Sequence, residues 1–405
     1  MAQAPWSFHS AGSLIFGNHA IEQIGDAAMR LRAKRVFIIT DTTLEKVGVA
    51  EQTRAPLMKA GCTVEIFTGC LPEPPADVIR AATAAAKAFQ PDLLVGLGGG
   101  SNMDTAKLVA VVLAHGGDPT DWVGDCRIPG PVFPLVCVPT TAGTGSEVSA
   151  AAVFTDTAKQ IKVSTLSQFL RPLVAIVDPL LTVGCPKQVT ADSGIDALTH
   201  AIEAFTAVDH DEFLQRPPGG ETVYQGRNTM ASGMATECIM LVGQYLKRAV
   251  QDGSDLEARE KMAYAATLGG LAFSNAGVAL VHAMEYPVGG AVHVSHGAGN
   301  GLLLPYVMRY NAAVRADEMR SIGLWLAGPS AALKSFQGGV EGAIQIVEKL
   351  REEIGIPTKL RQLCVTEEML PGFADKAFGI KRLMRTNPRM PQSAEEILEI
   401  YRAAW

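Results

Sequence analysis

Residues Asp92–His115 read DLLVGLGGGSNMDTAKLVAVVLAH. The run Asp92–Leu97 is apolar and of strand length. Three glycines follow, Gly98, Gly99 and Gly100, and then a helical stretch from Ser101 to His115. An uninterrupted apolar strand is the pattern of a strand buried on both faces, as in a parallel sheet covered by helices. The glycines remove side chains where a backbone must approach a ligand closely. Ser101 suits the N-cap of the following helix, and free N–H groups at a helix start, with the positive end of the helix dipole, attract an anion such as phosphate. A tight turn with no ligand is the alternative reading.

Moving toward the N-terminus, Ala76–Phe89 is an alanine-rich helix opened by Pro72, Pro74 and Pro75, and Cys62–Phe67 is a strand. A helical stretch places Leu44, Val47, Ala50 and Leu57 among its apolar positions. Arg35–Thr40 is a strand ending at Asp41, and Phe8–Phe16 is a short extended segment or hairpin. Moving toward the C-terminus, Pro134–Val138 and Leu173–Val177 are further strands. Strands alternating with helices predict an α/β domain with a parallel sheet. Ligands in such sheets bind beyond the carboxyl ends of the strands, where Asp41, Gly98–Ser101 and Thr140–Ser146 fall. The last of these belongs to PTTAGTGSE, Pro139–Glu147, whose hydroxyls can bond phosphate, ribose or an adenine edge. Paired with the glycine turn, it predicts a dinucleotide cleft. The turn is not a GxGxxG and follows the third strand, so the standard Rossmann arrangement does not apply in detail. Asp41 can accept from ribose hydroxyls and repel a 2′-phosphate, which favours NAD over NADP; a helix N-cap is its other reading. Lys162, in a charged hairpin Asp156–Lys162, can pair with a pyrophosphate or stand as a solvated lysine.

After Pro186 the hydrophobic period becomes helical, which sets two domains, 1–185 and 186–405. In Ala191–Phe205 (ADSGIDALTHAIEAF) the residues Ile195, Leu198, Ile202 and Phe205 form one apolar face. Asp196, His200 and Glu203 share a neighbouring face, and the i, i+4 spacing lets Asp196 and His200 reach one ion. His282 and His296 flank a turn-rich segment containing Pro287, Gly289 and Gly290. One carboxylate and three imidazoles complete a ligand set for a divalent transition metal. His293 reads as an ordinary hydrogen-bonded histidine. Asp209–Gly226, with Pro217, Pro218, Gly219 and Gly220, reads as a long surface loop, a lid or a subunit contact. Asn228–Asp252, Asp255–Asn275, Asn300–Asn311, Arg315–Leu326, Val340–Ile354 and Ala394–Ala404 read as helices.

A chain of 405 residues with 48% apolar content suits two cores. A net charge of −6 with no long basic run argues against nucleic acid as a partner. No stretch of about 18 uninterrupted apolar residues is present, so no membrane partner is expected. The N-terminus lacks a secretory pattern. The seven cysteines are scattered without CxxC spacing, which fits reduced thiols and a cytoplasmic location.

The chain resembles the iron-containing (group III) metal-dependent alcohol dehydrogenase family over nearly its whole length. The residues that carry the resemblance are GGGSNMDTAK (Gly98–Lys107), PTTAGTGSE (Pro139–Glu147), GIDALTHAIEAF (Gly194–Phe205), VHAMEYPVGG (Val281–Gly290) and SHGAGNGLLLPYVMRYN (Ser295–Asn311). The resemblance implies an α/β N-terminal dinucleotide-binding domain, dehydroquinate synthase-like, and an all-α C-terminal metal-binding domain, with the active site in the cleft between them. It implies Asp196, His200, His282 and His296 as metal ligands. Fe(II) is the implied ion, with Zn(II) as the alternative that nitrogen-rich sites bind more tightly. The glycine turn, Gly98, Gly99, Gly100 and Ser101, would take the pyrophosphate of NAD, and Asp41, Asp104, Thr140, Thr141, Thr144, Ser146 and Lys162 would complete the cofactor site. The implied reaction moves a hydride between NAD and an alcohol, aldehyde, ketone or hydroxyacid, in a homodimer or higher homo-oligomer. Three positions depart from the pattern. Tyr286 stands where many relatives carry a histidine near the nicotinamide, and is a candidate for hydrogen bonding in its place. Glu73 stands where relatives often carry asparagine. The loop ending Tyr224-Gln225-Gly226, with the Tyr286-Pro287 pair, resembles the hydroxyacid–oxoacid transhydrogenase branch, which supplies the alternative function.

Overall fold

Leu93–Gly98 is buried at every residue, and it forms the strand nearest the middle of a six-stranded sheet. In the computed structural model, which describes residues 4–158, 161–217, 220–328 and 338–405, the chain divides into two compact units. One comprises His9–Gly184 with Glu221–Val223. The other comprises the residues up to Phe8, Cys185–Gly220 and Tyr224–Trp405.

The first unit is α/β. Its strands β1 (Ser13–Phe16), β2 (Arg35–Ile39), β3 (Thr63–Phe67), β4 (Leu93–Gly98), β6 (Leu135–Pro139) and β9 (Val174–Val177) lie in the order β1-β9-β6-β4-β2-β3, all parallel. Three short strands, β5 (Gly124–Asp125), β7 (Ala151–Asp156) and β8 (Ile161–Leu166), form a second sheet in the order β5-β8-β7. Alternation along β2 shows why both sheet faces are covered. Val36 and Ile38 join a core with α1 (Ile24–Arg30) and α3 (Val49–Lys59), while Phe37 and Ile39 join one with α4 (Ala76–Phe89) and α5 (Gly100–His115). In register, Gly98 lies beside Pro139, so β4 and β6 end together, and β2, whose Ile39 lies beside Gly96, ends two residues earlier on the same side.

Several expectations shift here. Of its two readings, the Phe8–Phe16 segment takes the extended one: Ser13–Phe16 is an edge strand paired in parallel with β9, with no hairpin. The helical stretch after Asp41 is two helices, α2 (Thr42–Lys46) and α3, separated at Gly48, whose φ of +84° breaks the helix. Ser101 is not the N-cap of α5: Gly99 holds that position, and the Ser101 hydroxyl accepts from Glu73 N–H at 3.2 Å. Residues 159 and 160 of the charged hairpin, and Pro218 and Gly219 of the long loop, lie outside the described residues.

The second unit is helical: α6 (Lys187–Thr206), α7 (His210–Phe213), α8 (Thr229–Gln251), α9 (Leu256–Ala276), α10 (Leu280–Val292), α11 (His296–Asn311), α12 (Ala316–Ala327), α13 (Gly339–Glu353), α14 (Leu370–Gly379), α15 (Lys381–Thr386) and α16 (Ala394–Ala404). Central in it is α6, packed against α8, α9 and α11 and buried almost all round from Thr190 to Thr206. The turn-rich reading of the segment after His282 is corrected, since α10 runs through Pro287, Gly289 and Gly290. Leu280–Glu285 and Pro287–Gly289 are buried, and packing of that kind overrides weak helix propensity. The helix stops at His293, which adopts the left-handed conformation (φ 53°, ψ 35°). No single helix among the described residues is long and apolar enough to cross a membrane.

Candidate functional site

In the helical unit, Asp196 and His200 face inward from adjacent turns of α6, and His282 enters from the first turn of α10. One ligand atom from each can be chosen so that all three lie within 4.8 Å of one another, and all three residues are buried. His296 opens α11 at the rim, with its side chain 36% exposed and its ring centroid 5.2 Å from that of His282. The Asn300 amide, one turn further along α11, links the group. Its Nδ2 donates to Asp196 Oδ1 at 2.8 Å and stands 3.2 Å from both His282 Nε2 and His296 Nε2. Helix α11 reaches this position because Gly297 lies against α6, where a Cβ would stand only 2.0 Å from Asp192 O.

The imidazoles are held from behind. His200 stacks on Phe273, centroids 4.2 Å apart, and on His282 at 4.9 Å. His282 Nδ1 stands 2.5 Å from Glu203 Oε2, and His296 Nδ1 stands 2.5 Å from Glu285 Oε2. Glu203 also accepts Ala279 N–H at 3.0 Å and Val281 N–H at 2.7 Å. Its carboxylate thus caps the start of α10, just beyond the break at Gly277 (φ +115°). Burial opposes ionisation of Asp196, but His200, His296, His282 and the Asn300 amide outweigh it and hold the carboxyl below its ordinary value. One carboxylate oxygen and three imidazole nitrogens are donors that suit Fe(II) or Zn(II), so the residues fit a divalent metal. Tyr286 lies one turn beyond His282, its ring centroid 6.0 Å from that of His296.

In the α/β unit, three segments leave the common end of β2, β4 and β6. Gly98 has φ +137°, and a Cβ there would meet Asn102 Nδ2 at 2.1 Å, so the turn admits only glycine. That same amide donates to Leu97 O at 2.9 Å and to Asp41 Oδ2 at 2.7 Å, tying the end of β2 to the glycine turn. Asp41 Oδ1 caps α2 by accepting from Thr43 N–H and Leu44 N–H. Thr140 N–H donates to Gly98 O. Gly99, Gly100, Ser101, Thr141 and Thr144 are half-buried around the start of α5, while Thr140 and Ser146 are buried.

Other residues of the two motifs are engaged with one another. Asp104 accepts from Ser146 Oγ–H at 2.7 Å and from Val153 N–H at 2.9 Å. Lys107 is fully buried, and its Nζ donates to Ser146 Oγ, Ser149 O, Ser149 Oγ and Ala151 O at 2.8–3.1 Å. Desolvation pushes the Lys107 pKa down against the pull of Asp104. Lys162 is not a solvated surface lysine: its side chain is 7% exposed, and its Nζ pairs with Glu73 at 2.5 Å. Glu73 itself has φ +50°, a conformation asparagine adopts far more readily.

Sequence reasoning overlooked Glu285, Asn300 and Lys107. Glu285 follows His282 by three residues and Asn300 follows His296 by four. Those spacings put each one turn from a ligand once both segments are read as helices.

Known proteins resemble this chain over nearly its whole length. The family profile described as "Iron-containing alcohol dehydrogenase" matches residues 11–179, and that described as "Fe-containing alcohol dehydrogenase family, C-terminal" matches residues 223–405. Long-chain-alcohol dehydrogenase 1 of Geobacillus thermodenitrificans is 38% identical, over 95% of this chain and 93% of its own. NAD-dependent methanol dehydrogenase of Bacillus methanolicus is 34% identical, over 96% and 97%. The crystal structure of a 1,3-propanediol oxidoreductase superposes with a TM-score of 0.90 at 35% identity, covering 99% of this chain and all of the other. None of the three favours the transhydrogenase alternative. With both family profiles matched, and with relatives aligned almost end to end, the chain belongs to the iron-containing alcohol dehydrogenase family, metal-dependent oxidoreductases that interconvert alcohols with aldehydes or ketones.

Proposed function

We propose that this chain oxidises small alcohols, and reduces the matching aldehydes or ketones, with NAD(H) as the hydride partner and a divalent metal, Fe(II) in the first instance, held by Asp196, His200, His282 and His296. The observation that carries this reading is the convergence of Asp196, His200 and His282 donor atoms within 4.8 Å in a buried site. When bound, the metal supplies Lewis-acid polarisation of the substrate oxygen, and NAD supplies the hydride acceptor. The protein's own part is placement. Asp196 and the three histidines fix the oxygen end of the substrate, and the buried walls of α6 and α10 exclude water from it. Gly98–Ser101 present the N-terminal N–H groups of α5 to the pyrophosphate, with Thr140, Thr141 and Thr144 beside them. Asp41 accepts from ribose hydroxyls. Asp104 and Ser146 act one step back, by fixing the two loops to each other through their mutual bond. Lys162 faces the phosphates as an ion pair with Glu73 rather than as a lone cation.

The reading extends to a homo-oligomer, which rests on the family resemblance, and to a reducing compartment such as the cytoplasm, which suits seven cysteines that are all free thiols. The test is elemental analysis of protein purified without oxygen, run beside a screen of alcohols and hydroxyacids that follows NADH absorbance. One equivalent of iron or zinc per chain and NAD-dependent alcohol oxidation are expected. Metal-free protein with full activity would overturn the metal assignment, and exchange between a hydroxyacid and an oxoacid with no added NAD would replace this reading by the transhydrogenase one.

A further inference from the structure

Two carboxylates that no ligand set includes stand directly behind two of the histidines. Glu285 is fully buried on α10, one turn from His282, yet its Oε2 lies 2.5 Å from Nδ1 of His296 on the next helix. Glu203 is buried on α6, one turn from His200, and its Oε2 lies 2.5 Å from Nδ1 of His282. Each carboxylate thus serves a histidine on a different helix. With a carboxylate placed at Nδ1 of each ring, Nε2 is the nitrogen turned toward the site. Those two Nε2 atoms are the ones that flank the Asn300 amide with Asp196 Oδ1.

The backing extends one layer further. Tyr401, on the last helix α16, is buried and donates to Met284 O at 2.5 Å. Burial and the neighbouring charge of Glu285 hold its hydroxyl well above its ordinary pKa, so it remains a donor. His200 has a different support, the stack on Phe273.

Building on the metal reading above, we propose that Glu203 and Glu285 are positioning residues, which fix the tautomer and aim of His282 and His296 and raise the basicity of their Nε2 atoms toward the metal. Carboxylates hydrogen-bonded to metal-ligating histidines commonly contribute about 10-fold to 100-fold in metal affinity.

The experiment is anaerobic Co(II) titration of the full chain in competition with a chromophoric chelator, together with the visible absorption spectrum of the Co(II) form. Wild type is compared with Glu285→Gln, Glu285→Ala, Glu203→Gln and Asp196→Ala. Glu285→Ala is expected to weaken Co(II) binding by about 10-fold to 100-fold and to shift the Co(II) absorption bands. Glu285→Gln keeps an acceptor for His296 and is expected to lose less. Glu203 also caps α10, so its variant can fail to fold; the near-isosteric Glu285→Gln leaves the proposal decidable. Wild-type affinity and spectrum in both Glu285 variants would overturn the inference. Failure of wild type to bind Co(II), or equally tight binding by Asp196→Ala, would instead overturn the metal site itself.

Discussion

Asn102 Nδ2 donates to Asp41 Oδ2 at 2.7 Å, while Asp41 Oδ1 caps α2. One carboxylate therefore ties the end of β2 to the glycine turn and caps α2, which is the helix-cap reading of Asp41; its place beside a ribose belongs to the proposed function. Asp41→Ser keeps a capping hydroxyl and removes the charge. The ratio of kcat/KM with NADP to that with NAD is expected to rise by about tenfold, equivalent to about 1.4 kcal/mol. An unchanged ratio in steady-state kinetics would show that Asp41 does not sense the 2′ position.

Gly98→Ala meets both a positive φ and the Asn102 amide. The cost is expected to be on the order of 2–4 kcal/mol, concentrated at the turn. Denaturant titration and quenching of protein fluorescence by NADH would register it as lower stability with lost dinucleotide binding; wild-type values in both would refute the argument.

Chelating the metal removes a ligand that binds only the folded helical unit. At a free metal concentration about 100 times Kd, the stabilisation lost is about 2.7 kcal/mol. Hydrogen exchange is expected to speed up in α6, α10 and α11 on chelation and to leave β2, β4 and β6 unchanged.

Tyr286→His would place an imidazole where the family resemblance implies one. An imidazole titrates near pH 6.5 and a phenol near 10. The pH profile of kcat is expected to gain a limb between about pH 6 and 7, whereas Tyr286→Phe is expected to leave the profile's shape as in wild type. Identical profiles for wild type and Tyr286→His would rule out this side chain as a route for protons.

Asp209 pairs with Arg227 at 2.5 Å and Arg315 at 3.0 Å. Burial raises its pKa, but the two guanidinium groups outweigh that and hold it below the ordinary value. A lowered folded pKa contributes stability that is complete above the unfolded value near 3.9 and is lost as pH falls through the folded value. The side chain is 50% exposed, so the contribution is discounted to about 1 kcal/mol or less. Asp209→Asn is expected to lower Tm at pH 7 and to converge with wild type as pH falls through the lowered folded value; a gap that stays constant with pH would count against the ion pairs.

What could be read in the sequence depended on whether the physics was local. Leu93–Leu97 is apolar at nearly every position, and that pattern alone places it inside a covered parallel sheet. Asp196 and His200 are four apart on one helix, so their convergence is a matter of pitch. The errors came where tertiary packing decided. Pro287, Gly289 and Gly290 signal a turn, and the burial of Pro287–Gly289 carries the helix through them. With α10 read as a turn, Glu285 could not be assigned a face. The role of Lys107 leaves no local signal because the carbonyls of Ser149 and Ala151 that receive it lie 42 and 44 residues away. Ser101 lost the cap position because Gly99, extended at ψ −176°, takes it two residues earlier.

The residues up to Phe8 belong to the helical unit, the rest of which follows the α/β strands in sequence. Ser7 and Gln225 exchange two hydrogen bonds, Ser7 N–H to Gln225 Oε1 and Gln225 Nε2–H to Ser7 O, each 2.9 Å, and the partners are 218 residues apart. His210 likewise reaches back to Pro5 O. During synthesis at roughly 5–20 residues per second, the leading segment waits on the order of ten seconds or more before its partner leaves the ribosome. All of the α/β unit's strands are made in that interval, so they can assemble while the segment that precedes them is still unclasped. A fusion partner placed at the N-terminus would therefore burden the closing of the helical unit, and a temperature-sensitive loss of metal retention, rather than of dinucleotide binding, is the form in which that burden would be felt.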